Sequence, residues 1–151
     1  MQNLKILNKK EINNILELIK KQWNCDFKPD YAFLQNEKGK VFIVNKDIAR
    51  VDFNKIRINS IGLYFAAIRN NEIRLSIEGS QIIGPNAKKN VVELNEKETR
   101  EWLKGYDINK AIKGEGFVII KHNDDYLGTG KVKEDKIFNF VPKNRRLKTS
   151  D

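Results

Sequence analysis

The chain has 151 residues, 40% of them apolar, with 29 basic residues against 20 acidic ones, a net charge of +9 and a single cysteine and histidine. That length allows one ordinary domain or two small ones, and the charge favours a polyanionic partner. One cysteine excludes an internal disulfide, and one cysteine with one histidine is too few for a zinc site. No apolar run is long enough to span a bilayer and MQNLKILNKKE lacks a signal-peptide pattern, so the expectation is a soluble, cytoplasmic protein without a membrane partner.

Along the chain, Asn8 followed by Glu11 predicts a capped helix start, and Ile12, Ile15, Leu16, Ile19 and Trp23 keep helical spacing behind it. Ala32–Gln35 and Lys40–Val44 flank Asn36–Gly39 as a hairpin. Lys46–Phe53 is ambiguous and could hold one or two helical turns. Ile56–Arg69 reads as a bent strand around Gly62, and Asn70-Asn71 suits a type I′ turn because asparagine tolerates positive φ. In the return strand Ile73, Leu75 and Ile77 alternate with Arg74, Ser76 and Glu78, one face buried and one wet. The segment 82–90 (IIGPNAKKN) is the best boundary, which divides the chain into an α+β unit over 1–84 and a smaller β-rich unit over 85–151. Val91–Leu94 is a strand. Asn95 with Glu98 repeats the capping box, Trp102, Leu103 and Tyr106 extend a helical face, and Gly105 closes it.

From Gly116 to Leu147 the chain reads as a three-strand meander: Phe117–Lys121, Tyr126–Lys133 and Lys136–Val141, with turns at Asn123-Asp124 and Glu134-Asp135. So few strands bury poorly as an open sheet, so a small closed or half-closed barrel is expected. Leu127–Val132 (LGTGKV) is not a phosphate loop. Asp125 stands where the first glycine belongs, Val132 replaces the Ser or Thr, and a strand follows instead of a helix. Gly128 and Gly130 are better read as a bend or a close backbone approach, which could also seat a nucleic-acid backbone. Phe138 and Phe140 could be base-stacking platforms, but barrel core is the preferred reading for at least one of them. Pro142 ends the strand, and Lys143, Arg145 and Arg146 leave it as a basic exit. Between Lys131 and Lys148 seven basic residues face only Glu134 and Asp135, which concentrates more than half the net charge there.

Catalytic chemistry has no positive support. Cys25 follows an amphipathic helix and reads as a small buried hydrophobe. Asp124 and Asp125 are solvated turn residues. His122 ends a strand as a rim residue, with an RNA contact as the alternative. No cofactor, metal site or catalytic residue is expected.

GFVII, YLGTGKV and KIFNFVPKNRRL together resemble the PUA-like domain at the C-terminus of the RsmF/Sun-type rRNA cytosine-C5 methyltransferases. The residues that carry the resemblance are Leu127-Gly128-Thr129-Gly130-Lys131 and Asn139-Phe140-Val141-Pro142-Lys143-Asn144-Arg145-Arg146, within about the last forty positions. Upstream, the α+β half looks like the small domain that precedes PUA-type barrels. The resemblance implies an α+β fold ending in a pseudo-barrel that binds structured rRNA or tRNA. Its backbone contacts would be Lys131, Lys143, Arg145 and Arg146, with Gly128 and Gly130 letting RNA or a neighbouring strand approach; Thr129 and His122 complete the candidate RNA-binding set. The family's S-adenosylmethionine domain and its Pro-Cys and Thr-Cys cysteines have no counterpart here, since Cys25 sits in Asn24-Cys25-Asp26. The implied form is thus a stand-alone, non-catalytic RNA-binding module, working in trans with a separate methyltransferase or a ribosome-assembly factor. Two alternatives remain: a protein-docking adaptor, and a modified-nucleotide pocket built on Tyr126 or Trp102.

Overall fold

The structure is a computed structural model that describes residues 4–46 and 62–148. The ambiguous piece at Lys46–Phe53 and the first part of the strand expected over Ile56–Arg69 fall almost wholly outside those residues. The described residues form an α+β fold with two five-stranded sheets and three α-helices.

The first sheet is an antiparallel meander of β1 (Lys5–Ile6), β2 (Tyr31–Gln35), β3 (Lys40–Asn45), β4 (Leu63–Arg69) and β5 (Glu72–Leu75), in that spatial order. Asn70 and Asn71 both take positive φ (52° and 61°), so the β4–β5 turn is the type I′ hairpin that their side chains favour. Helix α1 (Lys9–Trp23) covers one face of this sheet. Its capping box closes as expected, with the Glu11 N–H donating to Asn8 Oδ1 (2.9 Å) and the Asn8 N–H donating to Glu11 Oε1 (3.0 Å). Ile15, Ile19 and Trp23 recur on one helical face and enter a core with Phe33 and Phe65.

β5 ends earlier than the alternation of its residues suggests. Ile77 and Glu78 belong to helix α2 (Ile77–Ile83), not to the return strand. Ser76 is the reason. Its side chain accepts from the Gly79 N–H (2.9 Å) as an N-cap and donates to Tyr64 O (2.6 Å), so the chain turns away from the sheet at that point. A 3₁₀ turn, Gly84–Asn86, follows.

The second sheet runs β6 (Val91–Glu93), β8 (Gly116–His122), β9 (Asp125–Lys133), β10 (Lys136–Asn139), β7 (Ile108–Asn109), with β6 parallel to β8 and the remaining pairs antiparallel. It curls into a half-barrel closed by helix α3 (Glu96–Leu103), whose Trp102 is fully buried among Val118, Ile120 and Ile137. The Trp102 indole N–H donates to Leu127 O (3.0 Å), so this tryptophan is a core residue and not the wall of a pocket. Tyr126 is likewise packed, its ring against the backbone of Gly84.

The two sheets share their packing. Ile119 of β8 is buried in the core of the first sheet, and Ile77 of α2 packs against the core of the second. Polar bonds follow the same seam: Trp23 Nε1 to Phe117 O (3.1 Å), Asn90 Nδ2 to Gln22 O (2.7 Å), and the Gly128 N–H to Ser80 Oγ (2.8 Å). No helix among the described residues is long and apolar enough to cross a membrane.

Candidate nucleic-acid interface

From Lys136 of β10 to Val141 just beyond it, the side chains alternate across the half-barrel wall. Ile137 and Val141 are buried, whereas Phe138 and Phe140 are 37% and 38% exposed. Both phenylalanines therefore face outward, contrary to the expectation that at least one is core. The inward row is already full. Val118, Gly130 and Asn139 are register partners across β8, β9 and β10, and Trp102 lies on Gly130. The large ring on the inside belongs to α3, which leaves no room for a phenylalanine from β10.

On the outward face the register partners are Phe117, Lys131 and Phe138. Each ring there carries a cation. Lys131 Nζ is 5.3 Å from the Phe117 centroid, Lys136 Nζ is 5.7 Å from Phe138, and Arg74 Cζ of β5 is 4.7 Å from Phe140. Phe117 and Phe140 meet edge to face at 5.4 Å and join the three into one strip. Lys131 is also bound to Glu72 (3.0 Å), so its charge is partly spent within the protein.

Beyond β10 the basic exit is anchored at several points. Asn139 holds its start. Its Nδ2 donates to Trp102 O (2.8 Å) and Tyr106 O (2.9 Å), its Oδ1 accepts from the Val141 N–H (2.7 Å), and its own N–H donates to Asp107 Oδ1 (2.8 Å). Lys143–Arg145 form a 3₁₀ turn after Pro142. Arg145 makes a two-pronged bond to Glu78 (2.8 and 3.2 Å), which holds the Glu78 carboxyl below its ordinary range and raises the guanidinium's own. Arg146 Nε donates to Val141 O (2.9 Å) and its side chain lies against Gly105, while the Leu147 N–H reaches Leu103 O (2.8 Å). Of the three cations in this segment, Lys143 alone is exposed without an ion pair or side-chain hydrogen bond among the described residues. Lys133, at the end of β9, is similarly exposed.

The remaining sequence-derived positions sit elsewhere. Gly128, Thr129 and Gly130 are buried. Gly128 holds φ +90° and donates to Ser80 Oγ, Thr129 Oγ1 donates to Leu75 O (3.0 Å), and Gly130 lies under Trp102. These three residues build the seam and the barrel wall, not an open surface. His122 lies five residues along β8 from Phe117, roughly 16 Å away at strand rise. Its Nδ1 bonds Leu94 O (2.8 Å), which makes Nδ1 the protonated nitrogen and ties the end of β8 to the end of β6.

Two residues that shape this face carry no weight in the sequence. Arg74 reads there as the wet side of a strand, and only the seam brings it to Phe140. Asn139 opens the Asn-x-x-Pro-Lys motif, but nothing local shows that its side chain clamps three backbone groups. Among the described residues there is no cluster of His, Cys, Asp or Glu able to hold a metal ion. Burial pushes the Cys25 thiol up, away from the thiolate that nucleophilic chemistry needs.

Comparison with known proteins bears on the same half of the molecule. The family model of the methyltransferase RsmF PUA domain matches residues 89–147, which takes in β6 and α3 as well as the meander. Among curated proteins, the ribosomal RNA small subunit methyltransferase F of Vibrio parahaemolyticus is 27% identical over 95 residues, covering 59% of this chain and 20% of that protein. Its counterpart from Aeromonas hydrophila is 32% identical over 90 residues, covering 59% and 19%. The chain thus spans about a fifth of the length of the curated relatives it matches. The curled sheet, the helix that plugs it and the LGTGK and NFVPKNRR segments at its wall thus lie within the segment, residues 89–147, that is similar to the PUA domain of the RsmF methyltransferases.

Proposed function

We propose that this protein is a non-catalytic, cytoplasmic RNA-binding protein that recognises structured rRNA in the course of rRNA modification. Residues 85–151 form the RNA-binding unit and residues 1–84 a pre-PUA-like unit that supports it. Methyl transfer belongs to a separate catalytic polypeptide or domain acting on the same RNA.

The observation that carries this reading is the outward strip along β10 and the residue just after it. Two phenylalanines more than a third exposed, with Lys136 and Arg74 over their rings and Lys143 just beyond, form a surface that water would select against. Nucleic acid suits it, because bases stack on such rings while cations neutralise phosphates. The relatives' name, a ribosomal RNA methyltransferase, supports rRNA as the class of partner. Contacts to phosphate fall to Lys133, Lys136 and Lys143, with Lys131 shared with Glu72. Arg145 and Arg146 act by holding the segment in place.

The test is fluorescence anisotropy of labelled rRNA fragments across a salt series, with duplex DNA as control. Replacing Lys133, Lys136 and Lys143 with glutamine should lower the slope of log K against log salt by about 0.7–0.9 for each phosphate that is no longer neutralised. Equal, weak binding to RNA and DNA with an unchanged slope in that variant would overturn the proposal.

A further inference from the structure

A groove of about 280 Å³ opens where the first sheet meets the exit from β10. One side comes from the N-terminal unit, with Lys40 of β3, Tyr64 of β4 and Arg74 of β5. The other comes from the PUA-like unit, with Phe140, Pro142 and Arg145. Leu75, Ile77, Leu127 and Val141 are the aliphatic residues that line it. Neither unit alone makes this groove, and the sequence of neither one announces it.

Its chemistry is specific. Tyr64 and Phe140 supply two aromatic rings, and each carries a cation: Lys40 Nζ is 5.4 Å from the Tyr64 centroid and Arg74 Cζ is 4.7 Å from Phe140. Glu78 is the one carboxylate in the lining, and Arg145 already matches it through the two-pronged bond. The lining therefore keeps a positive excess beside the two rings, and Ser76, Gly128 and Thr129, whose polar groups are already bonded within the protein, complete it. A duplex does not enter a space of this size, because paired RNA is read across wide, shallow surfaces by its shape. A single nucleotide does, and it has both a π-face for the rings and a phosphate for the cations.

We infer that this groove captures one unpaired nucleotide of the bound RNA, its base against Tyr64 and Phe140 and its phosphate against Lys40 and Arg74. The inference rests on the RNA-binding reading above, and it adds what that reading leaves open. The N-terminal unit contributes to recognition directly, and the protein distinguishes a looped or bulged RNA from a continuous duplex.

The experiment uses the full chain and an rRNA hairpin carrying 2-aminopurine at successive loop positions, beside a fully paired duplex of the same stem. The expected result is tighter binding of the hairpin and a fluorescence change confined to one loop position. Tyr64→Ala should weaken hairpin binding by roughly 5- to 150-fold, the range for removing one base–aromatic stack. It should leave duplex binding unchanged. Because Tyr64 is half-buried, Lys40→Gln at an exposed position serves as the second variant, with weaker hairpin binding and a salt slope lower by about the share of one phosphate. Equal affinity for hairpin and duplex, with both variants like wild type, would overturn the groove assignment while steep salt-dependent binding still upheld the RNA reading. Loss of all RNA preference in the wild-type protein would overturn both.

Discussion

Gly130→Ala is the sharpest probe of how the LGTGK strand works. In the structure an added methyl carbon at Gly130 would stand 2.5 Å from Ile137 Cγ2, 2.6 Å from Trp102 Cη2 and 2.9 Å from Phe138 O. Ordinary contact begins near 3.4 Å, so two packed side chains and a backbone carbonyl must each retreat by half an ångström or more. None is free to do so. Trp102 is fully buried and pinned by its bond to Leu127 O, Ile137 is fully buried, and Phe138 O lies in the β9–β10 pairing. Overpacking of this kind costs about 1–3 kcal/mol, and with three rigid neighbours the upper end applies. Gly128→Ala is the comparison. Its nearest neighbour, Ile77 Cγ1, is an ordinary 3.4 Å away, and the cost there is left-handed backbone strain at φ +90°, about 1–2 kcal/mol. Urea unfolding reads both as midpoint shifts at constant m. Gly130→Ala should be the more destabilised of the two. A Gly130→Ala protein within about 0.5 kcal/mol of wild type that nonetheless loses RNA affinity would refute the packing explanation and restore Gly130 as a surface for nucleic acid.

Three further outcomes follow from the same geometry. The Glu78 carboxyl is held below its ordinary value of 4.5 chiefly by the Arg145 hydrogen bond, so its stabilisation is complete above that pH and disappears as pH falls through the lowered folded value; Glu78→Gln should flatten the acid limb of a plot of Tm against pH and leave the neutral limb parallel to wild type. Asn95→Ala removes the capping box of α3, and denaturant unfolding should show a loss of about 1 kcal/mol. Cys25 is 2% exposed with its thiol pushed up by burial, so a thiol reagent should label it no faster than the protein unfolds.

The sequence carries the local features of this fold legibly, because each rests on residues a few positions apart. Asn8 with Glu11 and Asn95 with Glu98 form the capping boxes their spacing implies. Glu134 and Asp135 both take positive φ in the β9–β10 turn, where the alternation on either side demands a reversal. Helix α2 was hidden because its first residue, Ile77, prolongs the alternation of Ile73 and Leu75, and a period of two cannot be told from the first step of a helix there. Ser76, three residues before Gly79, was the available signal. The orientation of Phe138 and Phe140 was beyond local reach. Apolar residues occupy both faces of β10, and the face that turns inward is decided by Trp102, more than thirty positions away, needing the space above Gly130. The groove depends on still longer range, since Tyr64 and Phe140 come to line one space only through the packing of one unit on the other.

The basic exit shows why charge read from sequence overstated some residues and overlooked another. Lys143, Arg145 and Arg146 look equivalent as a run, but Arg145 and Arg146 spend their donors on Glu78 and Val141 O, and Asn139 fixes the chain from which they project. Stability and binding should therefore separate cleanly along this segment. Asn139→Ala removes the bonds to Trp102 O, Tyr106 O and the Val141 N–H; Trp102 O keeps the Gly105 N–H and Tyr106 O is open to water, so the main cost falls on the half-buried Val141 N–H, about 1–3 kcal/mol where water cannot replace the partner. Asn139→Asp should be worse, because it turns a donor that serves two carbonyls into an acceptor that repels them. Both variants should lower the midpoint of thermal unfolding. Lys143→Gln should leave that midpoint unchanged and weaken RNA binding with a shallower salt slope, since its side chain is exposed and touches no described partner. An Asn139→Ala protein as stable as wild type would mean the clamp is not what aims the exit, and the separation between scaffold residues and RNA-contacting residues would fail with it.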